Sequence, residues 1–419
     1  MFDIKQIRIF ALAAYGKGLS GGDRIFIEFA RRWSKNFPVE IYVWKEGAKM
    51  LERQHLGIFN SQFSLFNANK DYRNLKVHVS KLKNLCKLGF LFCYLTRIIE
   101  GIRLGLSLKL ITNHQSPITI YSASEFWMDS LPAFILKLRY PKITWAASWY
   151  QTAPNPFHGY LENGQRRNKY FFSSLFYWLM QLPIKPLISS FADYVLVNNE
   201  EERKQFSDLN KKGRMIVVLG AVPLEEINKF LITNSKLLTT KEYDAVFQGR
   251  LHAQKGVVEL IDIWKKVVEI KPLAKLAMIG DGPLMGKVKK RITMNKLTNN
   301  IKVFGYVFDG PKKYKIFSKS KIVVHPAFYD SGGMASAEAM AFGLPCVGFN
   351  LKAYKSYYPQ GMVKVDIGNT NAFAKKIMEL LENYSLRIKI GREAKYMIEE
   401  NWSWEKRANE VLERITTNK

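Results

Sequence analysis

The stretch KIVVHPAFYDSGGMASAEAMAF, residues 321–342, decides the fold. Its first part, 321–328, is a short Val- and Ile-rich run broken by a proline, which is typical of a buried parallel strand. The Ala- and Met-rich part after Gly333 predicts a helix, because these residues have high helix propensity and the apolar ones repeat at helical spacing. Asp330 therefore lies in the loop at the carboxyl end of a strand, where open α/β sheets bind ligands.

The start of this predicted helix has the chemistry of an anion site. Ser331, Gly332 and Gly333 would open the helix with free backbone amides at the positive end of the helix dipole. Glu338 follows Asp330 by a little over two helical turns and would face the same place from inside the helix. An anion-binding helix start with a hydroxyl-binding acid on each side suits a sugar nucleotide.

Strand-like and helix-like segments alternate twice along the chain, which predicts an α/β protein of two doubly wound domains. The predicted strands are 7–13, 39–43, 118–121, 143–147, 194–197, 245–248, 274–279, 301–304, 322–325 and 345–349. The polar segment 232–242 is the most linker-like. We expect a first domain at 1–222, a second domain at 223–400, and a C-terminal helix at 401–419. Two such domains make a cleft, where small ligands usually bind.

The charge balance is unusual, with 64 Lys and Arg against 36 Asp and Glu and a net charge of +28. Such an excess favours polyanionic partners. Basic residues are interleaved with Leu, Phe and Tyr in 76–109 and in 166–191, as in interfacial helices, and charges or prolines interrupt both stretches too often for a bilayer span. An anionic membrane surface is therefore one predicted partner, and core helices with solvated Lys and Arg are the alternative. Nucleic acid is not expected, because no reading module accompanies the charge.

The cysteines and the N-terminal segment bear on the compartment. Cys86, Cys93 and Cys346 are too few and too scattered for a disulfide framework or a metal site. Residues 1–18 lack the basic-then-apolar layout and the cleavage site of a secretory signal. We therefore expect a cytoplasmic protein, with peripheral association on the cytoplasmic face of the membrane as a further expectation.

A second motif, YDAVFQGRLHAQKGVVELIDIW at 243–264, combines a strand, a glycine, two cations and a helix. Arg250 offers a planar fork for phosphate oxygens and Lys255 a mobile point charge. Standing alone, the pair would be read as solvated surface residues. It is followed in order by IGDGPL at 279–284, by FGYVFDGPKK at 304–313 and by the helix that contains Glu338.

This ordered set of motifs resembles the C-terminal domain of family 4 of the retaining GT-B glycosyltransferases. The resemblance is close over 244–350 and looser over the N-terminal glycine loop and FADYVLVNNEEER at 191–203. It implies two Rossmann-like domains that face each other across a cleft, an acceptor-binding one at 1–222 and a nucleotide-sugar-binding one at 223–400. It also implies that the C-terminal helix at 401–419 packs back toward the first domain. It also implies a hexosyltransferase that moves a sugar from a nucleoside-diphosphate sugar, with retained anomeric configuration, to a carbohydrate or lipid-linked acceptor of glycan synthesis.

The resemblance implies a catalytic role for three residues. Arg250 and Lys255 would bind the donor diphosphate and support its departure, and Asp330 would contact the donor sugar. The first acid of the family's pair is usually Glu, and Asp330 is shorter by one methylene group.

The resemblance also implies a set of donor-binding residues, which are Gly21, Gly22, Val307, Asp309, Gly332, Gly333, Met334 and Glu338. Glu338 would bind the ribose hydroxyls, and Val307 and Asp309 would line the base pocket. Gly21 and Gly22 would let the N-terminal loop approach the diphosphate closely. The family needs no metal or other cofactor, and the sequence has no Asp-x-Asp motif.

The acceptor side departs from the family pattern. Members commonly carry a His after the strand predicted at 143–147, and here Ser148 or Trp149 falls at that position. His158 lies further along and could replace it, or could be a solvated loop histidine. Two other functions stay open, which are a sugar-nucleotide epimerase on the same architecture and a non-catalytic relative that binds a membrane or a polysaccharide.

Overall fold

The computed structural model describes residues 6–14, 19–60, 62, 65–83, 85–110, 118–160, 171–206, 209, 213–234 and 240–417. The chain forms two compact units. The first consists of Met1–Ala153, Phe172–Val218 and Trp404–Lys419, and the second of Pro154–Phe171 and Leu219–Ser403.

The first unit is built on a parallel sheet of seven strands. These are β1 (Gln6–Phe10), β2 (Val39–Val43), β5 (Leu75–Val79), β6 (Ile118–Ser122), β7 (Thr144–Trp149), β8 (Tyr194–Val197) and β9 (Met215–Val217). Their order in the sheet is β5-β2-β1-β6-β7-β8-β9. An antiparallel pair, β3 (Gly57–Asn60) and β4 (Leu65–Ala68), lies outside this sheet. The helices are Gly21–Trp33, Lys45–Arg53, Phe90–Ser107, Trp127–Arg139, Phe171–Gln181, Ile184–Phe191, Glu200–Arg203 and Trp404–Thr417.

The second unit is a six-stranded parallel sheet with helices between its strands. The strands are β10 (Tyr243–Gln248), β11 (Leu276–Ile279), β12 (Ile301–Gly305), β13 (Ser320–His325), β14 (Cys346–Phe349) and β15 (Met362–Val365). Their order, β12-β11-β10-β13-β14-β15, is that of a Rossmann fold, and it reverses between β10 and β13. The helices are Leu224–Thr233, Val257–Ile270, Met285–Met294, Pro311–Ser318, Met334–Met340, Tyr354–Tyr357, Thr370–Glu382 and Tyr384–Asn401.

Both faces of the second sheet are buried, as in other parallel sheets covered by helices. Along β10, Ala245 and Phe247 belong to one hydrophobic cluster, and Val246 belongs to the other. The side chains alternate because successive residues of a strand point to opposite faces. Each cluster is closed by a buried indole, Trp264 on one side and Trp402 on the other. Packing on both faces therefore holds the strands that carry the loops of the carboxyl edge.

The prediction of two doubly wound α/β units is confirmed. Each predicted strand is present, with bounds that differ by a few residues. Strands β5, β9 and β15 and the antiparallel pair were not predicted. In the linker-like segment, residues 235–239 lie outside the described residues. The loop 154–160, assigned to the first domain from the sequence, belongs to the second unit, where the Tyr160 ring packs against His252.

The cysteines differ from the expectation. Cys86 and Cys93, seven residues apart, form a disulfide that joins the loop before the helix Phe90–Ser107 to its first turn. Their spacing gave no framework pattern, so the sequence did not predict this bond. Cys346 is a buried free thiol in β14.

In the part of the chain that the structure describes, no helix combines the length and the apolar character needed to cross a membrane.

Candidate functional site

The predicted catalytic residues of the second unit lie at the carboxyl edge of its sheet, where the strand order reverses. Arg250 follows β10, and the loop that contains Asp330 follows β13, its neighbour in the sheet. Ligands of doubly wound sheets bind at such switch points.

Asp330 is the centre of a buried polar cluster. Its carboxylate accepts hydrogen bonds from Lys255 Nζ at 2.5 Å and from the Tyr354 hydroxyl at 2.9 Å. His325 Nε2 lies 3.1 Å from the same oxygen, Oδ2. The other oxygen, Oδ1, accepts from the Gly332 N–H at 3.3 Å. These contacts fix the carboxylate in one orientation at the sheet edge.

The protonation states of this cluster follow from burial and charge. Burial opposes ionisation of Asp330, but the Lys255 ammonium and the His325 hydrogen bond outweigh it and hold the pKa of Asp330 well below its usual range. Burial also lowers the pKa of His325, and Lys255 adds to this effect, while the hydrogen bond to Asp330 opposes it. At neutral pH the cluster therefore holds an ionised Asp330 and a neutral His325.

Glu338 is the second buried acid, and it is held by two side chains. Its Oε2 accepts from Gln248 Nε2 at 2.8 Å and from Lys313 Nζ at 2.5 Å. The Lys313 ammonium also forms an ion pair with Asp309. Lys313 and Glu338 are almost fully buried, whereas the Asp309 side chain is a quarter exposed. Glu338 therefore presents a carboxylate whose charge is already compensated.

The two cations of the β10 loop have different surroundings. The Arg250 side chain is exposed, and among the described residues its guanidinium forms no ion pair. Lys255 is held by Asp330. His252 lies between them in sequence and is largely buried; burial and the charges of Arg250 and Lys255 lower its pKa to about 4. A neutral imidazole therefore leaves these two cations as the positive charges of this loop.

Two glycines permit the close packing of the site loops. Gly256 has φ +62°, and a Cβ there would lie 2.0 Å from the Pro326 carbonyl oxygen. Gly333 has φ +50° and caps the helix Met334–Met340 in the left-handed conformation, with its carbonyl accepting from the Tyr358 hydroxyl. Any other residue would be strained at these positions.

The remaining predicted donor residues of the second unit have the following places. Val307 is buried in the core with Tyr314 and Ala337. Met334 begins the helix Met334–Met340. The Gly332 amide donates to Asp330, so the expectation that this amide is free was wrong. The short side chain of Asp330 turns back toward its own loop and accepts the hydrogen bond from the Gly332 N–H.

The predicted residues of the first unit lie at the carboxyl edge of the other sheet. Gly21 and Gly22 form the first turn of the helix Gly21–Trp33, and a Cβ on Gly22 would lie 3.4 Å from the Tyr150 ring. Ser148 and Trp149 end β7 and are buried. The Ser148 hydroxyl donates to Tyr121 at 3.2 Å and Trp149 Nε1 to Thr152 at 2.8 Å. His158 is exposed and belongs to the second unit.

A buried acid, Asp129, also lies near the carboxyl edge of the first sheet. Its Oδ1 accepts from the Ala13 N–H at 3.1 Å and its Oδ2 from the Ser124 hydroxyl at 2.5 Å. Burial raises its pKa to about 7, and these hydrogen bonds only partly offset the effect.

Four side chains of the site were not predicted, and they are Gln248, Lys313, His325 and Tyr354. Lys313 was hidden in the basic segment FGYVFDGPKK, although its spacing of four residues from Asp309 is that of a helical ion pair. His325 stands at the end of the predicted strand and could have been assigned to the same edge as Asp330. Among the described residues, no group of three or more His, Cys, Asp or Glu side chains could hold a metal ion.

Comparison with known families locates the similarity in the second unit. Residues 228–397 match the family Glycosyl transferases group 1. This range is less than half of the chain, and it contains Arg250, Lys255, Asp330 and Glu338.

Two relatives match over part of their length. The chain is 26% identical over 227 residues to the poly(ribitol-phosphate) alpha-N-acetylglucosaminyltransferase of Staphylococcus aureus (strain COL). This alignment covers 49% of this chain and 44% of the relative. The chain is 27% identical over 176 residues to the poly(glycerol-phosphate) alpha-glucosyltransferase of Bacillus subtilis (strain 168). This alignment covers 39% of this chain and 26% of the relative. The matched part of the chain thus spans less than half of either relative.

A solved structure matches the whole chain. The crystal structure of Anabaena HepE in complex with UDP and glucose superposes with a TM-score of 0.69 at 13% identity, covering 100% of both chains. At this identity the likeness shows the fold. The fold is GT-B, as the sequence predicted.

Proposed function

We propose that this protein is a retaining glycosyltransferase that moves a hexose from a UDP-sugar to an acceptor hydroxyl. The observation that carries the proposal is the ion pair between Lys255 and the ionised Asp330 at the switch point of the second sheet, with the exposed Arg250 on the same loop as Lys255. This pair lies inside the range that matches Glycosyl transferases group 1.

The cationic pair suits a diphosphate. Arg250 is exposed and can bind phosphate oxygens through its planar fork. Lys255 donates to Asp330, and an ammonium has three donors, so it can bind a phosphate oxygen while it keeps this contact. Each such charge-assisted hydrogen bond contributes about 1.5–3 kcal/mol.

The same groups would serve the chemical step. As the bond between the anomeric carbon and the diphosphate breaks, negative charge develops on the leaving group, and fixed cations stabilise it. Asp330 stays ionised at neutral pH and is held by Lys255, His325 and Tyr354, so it would accept a hydrogen bond from a sugar hydroxyl without reorienting.

The nucleoside would be held from the other side of the helix Met334–Met340. Glu338 would accept hydrogen bonds from the ribose hydroxyls, oriented by Gln248 and Lys313. An acid at position 309 suggested guanine, which can donate to a carboxylate. The Lys313 ion pair accounts for Asp309 without a guanine. HepE, whose fold this chain shares, was solved with UDP, so we propose uracil as the base.

The acceptor is proposed to be a polyanionic carbohydrate polymer or its lipid-linked precursor. The names of both relatives specify polyol-phosphate polymers as their acceptors. A net charge of +28 would draw such an acceptor to this protein by long-range attraction. We further propose that the transfer needs no metal ion, and unchanged turnover in the presence of a chelator would support this.

The test is UDP release from UDP-glucose and UDP-N-acetylglucosamine with poly(glycerol phosphate) as acceptor. Arg250→Ala should lower kcat/KM at least tenfold, because about 1.5–3 kcal/mol of diphosphate binding is lost. Arg392→Ala, which removes an exposed arginine elsewhere in the second unit, should leave it unchanged. NMR of the product should show the anomeric configuration of the donor.

Three results would contradict the proposal. Unchanged turnover in Arg250→Ala would place the donor elsewhere. Isomerised sugar nucleotide without transfer would indicate an epimerase. Absence of any turnover together with absence of UDP binding would indicate a non-catalytic relative.

A further inference from the structure

The helix Phe90–Ser107 of the first unit presents an apolar stripe to solvent. Its members recur at helical spacing and are Leu91, Leu95, Ile99, Ile102 and Leu106, with relative exposures of 55%, 46%, 60%, 36% and 60%. At a rise of 1.5 Å per residue the stripe is about 22 Å long. An exposed apolar surface of this extent on a single helix face indicates an interaction site.

The opposite face of the helix is fixed, so the stripe cannot turn inward. A Cβ at Gly101 would lie 2.7 Å from the Met128 carbonyl oxygen, and a Cβ at Gly105 would lie 2.9 Å from the Ile135 side chain. The two glycines therefore let the helix pack closely against its neighbour, the helix Trp127–Arg139. The orientation of the stripe follows from this contact.

The charged residues of the helix are turned away from the stripe or paired. The Arg97 guanidinium is buried and donates to the carbonyl oxygens of Leu12 and Ala14. Glu100 is buried and pairs with Arg103 at 2.6 Å. These charges make the segment unsuitable as a bilayer span, but they leave its outer face apolar.

A second helix extends the apolar surface. On the helix Phe171–Gln181, Phe176 packs edge-on against Phe90 with ring centroids 5.5 Å apart, and Leu179 one turn further is half exposed. The two helices thus present neighbouring apolar side chains on the same unit.

Positively charged residues flank the stripe and indicate an anionic partner. Lys81, Lys83 and Lys87 precede the helix, Lys109 follows it, and all four are exposed. The sequence between Asp71 and Glu100 contains no acidic residue, and neither does 171–191. A second copy of this chain would bring like charges together on a protein of net charge +28. Lysines at both ends of an apolar helix face instead complement an anionic bilayer, into whose interface such a helix lies flat.

We propose that the apolar stripe is a membrane-docking surface, which seats the helix Phe90–Ser107 in the interface of an anionic bilayer. Leu91, Leu95, Ile99, Ile102 and Leu106 would enter the acyl boundary. Lys81, Lys83, Lys87 and Lys109 would bind lipid phosphates. This role of the first unit does not depend on the sugar or the nucleotide that the second unit binds.

The experiment is flotation of the full chain with phosphatidylcholine vesicles that contain or lack phosphatidylglycerol, at low and high salt. We expect binding to the anionic vesicles that weakens with salt. Ile99→Asp should lower the partition coefficient roughly tenfold or more, because a charge would replace an aliphatic side chain that enters the acyl boundary of the bilayer. Leu273→Asp is the matched control, since Leu273 is 85% exposed in the second unit, and it should bind as wild type. Leu91→Asp is a second stripe variant should Ile99→Asp fold poorly, as judged by its thermal melt.

Three outcomes overturn the proposal. The first is failure of the wild type to float with anionic vesicles at low salt. The second is flotation of Ile99→Asp and Leu91→Asp equal to wild type, which would leave net charge alone as the cause. The third is a wild-type dimer that Ile99→Asp converts to a monomer, without vesicle binding by either, because the stripe would then join two copies. UDP binding measured on the same samples separates each outcome from failure of the donor site.

Discussion

Lys313→Met removes a buried ammonium that two carboxylates share. The Lys313 side chain is 1% exposed, and that of its partner Glu338 is 2% exposed. Removing one member of a buried ion pair costs about 3–5 kcal/mol, because the remaining charge is uncompensated. Asp309 is a quarter exposed and can regain water, so Glu338 sets the cost. The Gln248 amide still donates to Glu338, which places the expected loss near the lower limit, at about 3 kcal/mol.

This loss should be visible in urea-induced unfolding and in the thermal midpoint. For a unit of this size, about 3 kcal/mol corresponds to a midpoint lowered by roughly 6–12 °C. Lys312→Met is the matched control, because Lys312 is the exposed neighbour in the same helix, and it should change the free energy of unfolding by less than about 0.5 kcal/mol.

A double variant makes the reasoning specific to charge. Lys313→Met combined with Glu338→Gln removes both charges of the pair, and it should recover about 2 kcal/mol relative to Lys313→Met alone. If Lys313→Met costs less than about 1 kcal/mol, or if the second substitution adds to the loss, the assignment of a compensated buried carboxylate is refuted.

Two further predictions concern pH and backbone conformation. Burial raises the pKa of Asp129 from 3.8 to about 7, so the folded protein holds the proton of this carboxyl more tightly than the unfolded chain does. The contribution of Asp129 to the free energy of unfolding is therefore greatest below pH 4 and is lost as the pH rises through 7. Asp129→Asn should therefore raise the melting temperature at pH 8 more than at pH 5, and equal shifts would contradict the assignment. Gly256→Ala should cost at least about 2 kcal/mol in urea unfolding, because its Cβ would meet the Pro326 carbonyl oxygen at φ +62°. A loss below about 0.5 kcal/mol would contradict it.

The fold could be predicted because its strands are marked by local patterns. β10 and β13 are short apolar runs that end at Gly249 and near Pro326, and buried parallel strands have this pattern. Strand β5 contains the exposed Lys76 within LKVHV, and β9 is only three residues long, so neither gives a pattern that differs from a loop.

The candidate site could be predicted only in part, because some of its residues follow strand ends and others are brought to it by tertiary packing. Arg250, Lys255 and Asp330 follow strand ends, and sequence order alone places them at one edge. Lys313 reaches Glu338 through the packing of two helices, and nothing local distinguishes it from the solvated Lys312. Tyr354 reaches Asp330 from a segment beyond β14. Such contacts depend on tertiary packing, which one sequence does not reveal.

The central claim is that Arg250 belongs to a nucleoside-diphosphate site, and calorimetric titration with UDP tests it most directly. The account predicts that wild type and Arg392→Ala bind UDP with equal affinity and that Arg250→Ala binds it at least tenfold more weakly, a loss of about 1.4 kcal/mol or more. Equal affinity in Arg250→Ala, or no binding of UDP by the wild type, would contradict the account.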